Sequence, residues 1–170
     1  MFRGGLNLMV SEQGRELFLQ AVKQLDGKKP FSSLDDLLES FGLDYESALS
    51  NEKFVKASIW SLAADNPFSE DYKSFLVDIN PQISSRYLVG ALGNPMQREP
   101  ALEILLQYGS SQVTVNPLVG ALGNPVQKDY ATNILVIYGK DALQFIREPI
   151  PGTRLYEPLL NVINTINKAA

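Results

Sequence analysis

Leu-Val-Gly-Ala-Leu-Gly-Asn-Pro at residues 88–95 recurs letter for letter at residues 118–125, an offset of 30 residues. The match continues beyond the octet at the same offset, and the charge signs of Arg98-Glu99 are kept in Lys128-Asp129. The further identical pairs are Gln97 with Gln127, Ala101 with Ala131, Ile104-Leu105 with Ile134-Leu135, and Tyr108-Gly109 with Tyr138-Gly139. Such a match indicates the duplication of one structural unit.

Each copy of the unit predicts two helices joined by a tight turn. In the second half of the first copy, apolar residues fall at i, i+3, i+4 and i+7, which is one face of a helix. These residues are Ala101, Ile104, Leu105 and Tyr108. Gly109 follows where helices commonly end in a left-handed residue, and Gly93 is predicted to end the preceding helix in the same way. Asn94-Pro95 breaks one helix and begins the next, so we expect helix pairs at 87–109 and 117–139.

Two prolines restrict where these helices begin. An interior proline loses a backbone hydrogen bond and clashes with the preceding turn, at a cost of about 3 kcal/mol. Pro100 therefore predicts that its helix begins near Gln97 to Glu99, or is kinked there. Pro117 raises the same difficulty for the first helix of the second copy.

Less regular segments flank the two clear copies. The segment Trp60–Pro67 resembles the octet and predicts an earlier unit, with a second helix at 72–79. Towards the end of the chain, 141–147 predicts a short helix and 156–168 a final one.

The N-terminal third predicts helices without visible repetition. Ser11 and Ser33 are suited to cap helices, and Gly42 is suited to end one. No segment alternates apolar and polar residues with a period of two, so we expect no sheet. The predicted fold is all-α, with an N-terminal helical segment at 1–54 and a short α-solenoid of helical hairpins at 55–170.

The composition excludes several kinds of chemistry. The chain has neither cysteine nor histidine, which removes disulfides, thiolate nucleophiles, the commonest general base and common metal ligands. The net charge of −4, with no basic run longer than Lys28-Lys29, argues against nucleic acid. No apolar run approaches the roughly 18 residues of a membrane span. We therefore expect a cytoplasmic protein with no cofactor, metal centre or catalytic cluster.

The repeated unit resembles the short HEAT-like repeat of the class named after phycobilisome lyases. Ala91–Asn94 and Ala121–Asn124 match the end of the family's first helix, and Leu105–Gly109 and Leu135–Gly139 match the end of its second helix. The likeness covers about residues 60–140. The turn is shorter than the family's usual one, and the Val-Arg pair often found early in the second helix is absent.

Two patterns resemble chemical motifs without completing them. Gly90 and Gly93 lack the Gly-x-Gly-x-x-Gly spacing and a preceding strand, so close helix packing at Gly90 and helix termination at Gly93 are favoured over phosphate binding. The carboxylates near Asp36 and Asp65 are favoured as helix caps and solvated faces rather than as an acid–base pair. The tyrosines that end both second helices share the apolar face, which favours core packing over ligand stacking.

The second helices predict a protein-binding surface opposite their apolar face. Positions spaced by four residues turn away from that face and carry three acids. These six positions are Glu99, Glu103 and Gln107, with their repeat equivalents Asp129, Asn133 and Ile137. Ile137 stands where the other copy has Gln107. This substitution favours either an apolar contact centre for a partner or burial under a helix at 141–147.

Tandem helical hairpins are typical of proteins that bind other proteins rather than catalyse reactions. The family likeness implies the same class, an interaction scaffold or assembly chaperone whose partner is another protein. It also implies the alternative, an accessory factor of a bilin lyase or of phycobilisome assembly, although no bilin-contacting motif is visible. Nucleic-acid binding is a third hypothesis, which the acidic composition disfavours.

Overall fold

The structure, a computed structural model, describes residues 31–63 and 65–169. Of these residues 67% are helical and none lies in a strand, so the predicted all-α fold is confirmed for the described part of the chain. The chain divides between Ser84 and Ser85 into two compact units. The predicted domains, 1–54 and 55–170, stay predictions, and the helix predicted to begin at Ser11 lies outside the described residues.

Four helices belong to the first unit, one crosses the division, and five belong to the second unit. The first unit contains α1 (Leu34–Phe41), α2 (Tyr45–Ala48), α3 (Glu52–Trp60) and α4 (Ser69–Asp78). The others are α5 (Pro81–Ala91), which crosses the division, α6 (Arg98–Tyr108), α7 (Gln112–Ala121), α8 (Lys128–Tyr138), α9 (Lys140–Leu143) and α10 (Tyr156–Ala169). Over the described ranges, no helix combines the length and apolar character that crossing a membrane requires.

The first unit contains two buried phenylalanines, and its first helix begins and ends where the sequence predicts. Phe54 in α3 lies edge-on to Phe75 in α4, with ring centroids 5.2 Å apart, and both side chains are fully buried. The Asp36 backbone N–H donates to Ser33 Oγ at 3.1 Å, which caps α1. Gly42 ends the helix in the left-handed region, with a φ of 65°.

The same Asn-Pro turn joins the helices of three hairpins. In each turn the asparagine side-chain oxygen accepts a hydrogen bond from the backbone N–H two residues ahead, across the proline. The donors are Phe68 to Asn66 at 2.9 Å, Met96 to Asn94 at 3.0 Å, and Val126 to Asn124 at 2.9 Å. The earlier unit predicted from the octet therefore has the turn of the two clear copies, and its second helix begins at Ser69.

The first helices of the two clear copies begin earlier than predicted. α5 begins at Pro81 rather than near residue 87, because proline is well suited to the first helical position. α7 begins at Gln112 rather than near residue 117, and Pro117 lies inside it. A capping box formed by Ser111 and Thr114 fixes the start of α7 before the proline. The helix therefore tolerates the loss of the backbone hydrogen bond that Pro117 cannot donate.

The ends of the repeat helices agree with the sequence predictions at most positions. Pro100 lies in the first turn of α6, as predicted. Gly109 and Gly139 end the second helices with φ of 77° and 69°, also as predicted. The prediction of a left-handed residue at Gly93 is wrong, since its φ is not positive. The Asn-Pro turn ends α5 without one.

Equivalent leucines form the core of the second unit. Leu92 and Leu122 are buried, and Leu105 and Leu135 are fully buried, which confirms their equivalence in the repeat. The Tyr138 hydroxyl donates a hydrogen bond to the Leu105 backbone carbonyl and so links α8 to α6. Burial raises the pKa of Tyr138 to about 12, against an opposing hydrogen bond with Thr114.

The end of the chain covers one side of the second copy. α10 contacts α8, and the final helix predicted at 156–168 is confirmed. Its buried residues are Leu159, Val162 and Ile166. The helix predicted at 141–147 is shorter, because α9 spans only Lys140–Leu143 and the chain then becomes irregular.

Replacing Leu135 with alanine should lower the free energy of unfolding by about 2–5 kcal/mol, because it leaves a cavity at a fully buried position. Ile137→Ala is the matched control in the same helix, where the side chain is 64% exposed and a change within about 0.5 kcal/mol is expected. Urea denaturation followed by circular dichroism measures both. Equal midpoints for the two variants would contradict the assigned core.

Replacing Tyr138 with phenylalanine should lower the free energy of unfolding by about 0.5–1.5 kcal/mol, because the Leu105 carbonyl loses a donor. The folded pKa of Tyr138, about 12, exceeds the ordinary value of 10.0, so the unfolded chain releases this proton first as the pH rises. The stability that the hydroxyl contributes is therefore fully present below about pH 10 and is lost as the pH rises through about 12. Urea denaturation across this range should show a steeper fall for the native chain than for Y138F, and parallel curves would refute the assignment.

Candidate protein-binding surface

The six residues predicted as a binding surface lie on two neighbouring helices of the second unit. α6 and α8 contact each other, and each presents a buried side that includes the repeated alanine, isoleucine and leucine. All six predicted side chains are exposed, and together they are called the acidic face. Its members are Glu99, Glu103 and Gln107 on α6, with Asp129, Asn133 and Ile137 on α8.

Ile137 is the apolar member of the acidic face. Its side chain is 64% exposed, so the alternative in which a helix at 141–147 buries it is wrong. The physical reason is the length of α9, which is only four residues and places Ala142 in the core. A large aliphatic side chain on a charged surface is a candidate contact centre for a partner.

Arg98 and Tyr130 connect the starts of the two helices that carry the acidic face. The Arg98 guanidinium carbon lies 4.1 Å from the centroid of the Tyr130 ring, within the range of a cation–π contact. Arg98 Nε also donates to the Leu92 carbonyl at 2.9 Å. The sequence gives one signal for this contact, since Tyr130 is the counterpart of Pro100 and appears only in the second copy. The contact holds the arginine at the end of the face nearest Glu99.

The first helices carry a second feature, a groove of about 510 Å³ that α5 and α7 line together with the second Asn-Pro turn. Its polar lining includes Arg86, Arg154, Asn124 and Gln127, and its small residues include Gly90, Gly120 and Gly123. We call it the glycine groove. Within the described chain no Asp or Glu lines it. The Gln127 side-chain amide crosses towards α5 and donates to the Gly90 carbonyl at 3.4 Å.

The prediction of close helix packing at Gly90 is wrong. Gly90 and Gly120 are exposed, and a Cβ built on either would meet nothing within 4 Å. Gly123 differs, because a Cβ there would lie 2.9 Å from Arg154 Nε. The sequence could not predict the crowding at Gly123, since Gly93 holds the same position of an identical octet, yet a Cβ there would meet Gln127 at 3.4 Å rather than an arginine.

Several acids of the two predicted carboxylate clusters lie at the start of a helix or in an ion pair. Asp35 and Asp36 lie in the first turn of α1, where acids favour the positive end of the helix dipole. Glu70 forms an exposed ion pair with Lys73 at 3.1 Å. Over residues 31–63 and 65–169, acids do not gather into a group that could hold a metal ion. The acidic face and the glycine groove are two surface features of the described second unit.

Comparison with known proteins found no relative of this chain. No protein-family model matches the chain, and no curated protein or solved structure is significantly similar to it. The resemblance to phycobilisome-lyase-type HEAT-like repeats therefore stays a prediction from the repeat itself.

Replacing Gly90 or Gly120 with alanine should raise the free energy of unfolding by about 0.4–1 kcal/mol each, because alanine restricts the unfolded chain and fits the open space. Gly109→Ala is the control of opposite sign, since its φ of 77° is strained for a side chain. Urea denaturation measures all three variants. A destabilised G120A protein would show that the groove floor is more crowded than its geometry indicates.

Proposed function

We propose that this protein is a non-catalytic interaction scaffold built from HEAT-like hairpins, and that its acidic face binds another protein. The observation that carries the proposal is the exposure of Ile137 in a row of polar side chains on α8. Next to it, α6 presents a second row with two acids. Repeat arrays commonly use such paired helix surfaces for recognition.

The hairpin architecture supports this function. α5–α6 and α7–α8 share the same turn hydrogen bonds and bury equivalent leucines. Two copies of one hairpin, with α6 against α8, place equivalent surface positions on adjacent helices. A partner can therefore contact both rows at once, and affinity then depends on several weak contacts acting together.

The chemistry of the acidic face indicates what kind of partner surface it would bind. Glu99, Glu103 and Asp129 require basic side chains, because like charges across an interface cost several kcal/mol. Ile137 requires an apolar spot, and burying such a side chain completely contributes about 1.5–3 kcal/mol. We therefore expect a partner surface that carries lysine or arginine around an aliphatic or aromatic centre. Charge complementarity of this kind raises the association rate and makes it depend on salt.

Affinity purification from the native host, with the intact chain as bait, tests this proposal. The variant E99K/E103K/D129K should lose a partner that the native chain retains, because it reverses the charge that attracts basic residues. Each exposed substitution should change the free energy of unfolding by no more than about 0.5 kcal/mol. Ile137→Ser should weaken the same interaction without altering charge.

The matched control is D141K/E148K/E157K, which makes the same change in net charge at exposed positions outside the acidic face. We expect this control to retain the partner, and mass spectrometry of the retained fraction identifies it. If the control loses the partner as completely as the test variant, overall charge rather than the acidic face governs binding. If all variants retain the partner equally, the binding site lies outside the acidic face.

A further inference from the structure

We infer that a cleft beside α7 binds an extended, uncharged peptide segment of a partner protein through the main chain of that segment. The cleft has a volume of about 470 Å³ and is lined by α7, by the loop that joins α9 to α10 and by the first turn of α10. We call it the loop cleft. None of the six residues of the acidic face lines it, so the inference is independent of the proposed function.

The loop cleft has an apolar wall that the protein leaves partly uncovered. Its larger members are Val119 on α7 and Phe145, Ile146 and Ile150 on the loop. The first three are half-buried, and Ile150 is 67% exposed. Ile150 also precedes Pro151, and a residue before proline is held in extended backbone. The loop therefore presents an aliphatic side chain that a ligand in the cleft can cover.

The α7 side of the loop cleft carries two side-chain amides without partners. Gln112 and Asn116 both line the cleft, and both are exposed. Within the described chain, neither amide takes part in a hydrogen bond. A side-chain amide can donate and accept, so it can bond to both polar groups of a peptide main chain. The loop adds the backbone N–H groups of Arg147, Glu148 and Ile150, which donate to no backbone carbonyl in the described chain.

The spacing of the two amides matches an extended peptide. Residues four apart on a helix are separated by about 6 Å along its axis. Main-chain groups that face the same way in an extended chain recur every two residues, at about 6.6 Å. Gln112 and Asn116 can therefore bond to the first and third residues of one segment. Gly120 lies one turn further along α7 with open space where a side chain would be, so the segment can continue over it.

The charges that line the loop cleft favour a neutral segment. Among the described residues that line it, Arg147 and Glu148 are charged and have opposite signs. Single-stranded nucleic acids bind in positively charged grooves, which this balance does not provide. Successive side chains of an extended peptide point to opposite sides, so every second one faces the apolar wall. The preferred segment therefore has aliphatic residues at alternate positions.

Selection from a seven-residue random peptide library displayed on phage, with the intact chain as the target, supplies the probe. We expect the enriched sequences to carry aliphatic residues at alternate positions and little charge. The most enriched peptide is then synthesised with a fluorescein label. Fluorescence anisotropy measures its affinity for the native chain and for variants.

The variant Q112A/N116A should bind this peptide about tenfold more weakly, because it removes two hydrogen-bonding side chains. Ile150→Ser should bind it several-fold more weakly, because apolar contact is lost. All three positions are exposed, so the urea midpoints should stay close to that of the native chain. The matched control N164A/N167A removes two exposed amides of α10 outside the cleft and should leave the affinity unchanged.

Two further measurements separate this site from other modes of binding. The same peptide with a methyl group on every main-chain nitrogen should bind at least about tenfold more weakly, because its main chain can no longer donate. The variant E99K/E103K/D129K should bind the unmodified peptide as tightly as the native chain, because the acidic face lies outside the loop cleft.

The inference is wrong if the library yields no enriched sequence, or if the enriched peptide binds Q112A/N116A as tightly as the native chain. Equal affinity for the methylated peptide would overturn main-chain recognition and assign the cleft to a small apolar ligand instead. Binding that is lost in E99K/E103K/D129K and retained in Q112A/N116A would assign the peptide to the acidic face.

Discussion

The second unit depends on one local constraint, the hydrogen bond that closes each Asn-Pro turn. The asparagine oxygen accepts from the N–H two residues ahead, so the chain reverses within a few residues and the second helix begins at a fixed place. Because the turn is the same in both copies, the second helices of the two hairpins begin at equivalent residues. Their equivalent leucines therefore reach equivalent buried positions, and α6 and α8 lie side by side.

The acids of the two repeat copies lie on their second helices, which also carry Arg98 and Lys128. The second helices present acids around Ile137, whereas the first helices and the loop after α9 present Arg86 and Arg154 around exposed glycine backbone. Neither surface needs a catalytic group, and each is built from residues whose loss would leave the leucine core intact.

The sequence predicted those features that depend on local pattern. Helical periodicity located the buried leucines, the cap at Ser33 and the positive φ of Gly109, because each follows from its immediate neighbours along the chain. It left open, or did not address, features that distant residues decide. The exposure of Ile137 depends on how short α9 is, and the contact of Arg98 with Tyr130 joins two copies of the repeat. The predicted role of Gly90 was wrong for the same reason, since its surroundings come from α7 and the loop that carries Arg154.

Proline after asparagine also has a chemical consequence for the turns. Asparagine in an exposed turn normally ages by deamidation, which begins when the backbone nitrogen of the next residue attacks the side-chain amide. Proline has no N–H at that nitrogen, so this route is closed at Asn94 and Asn124. An Asn-Gly pair, which is common in other tight turns, leaves that route open. The two turns therefore keep a neutral amide, and with it the acceptor oxygen that closes them, over the lifetime of the folded chain.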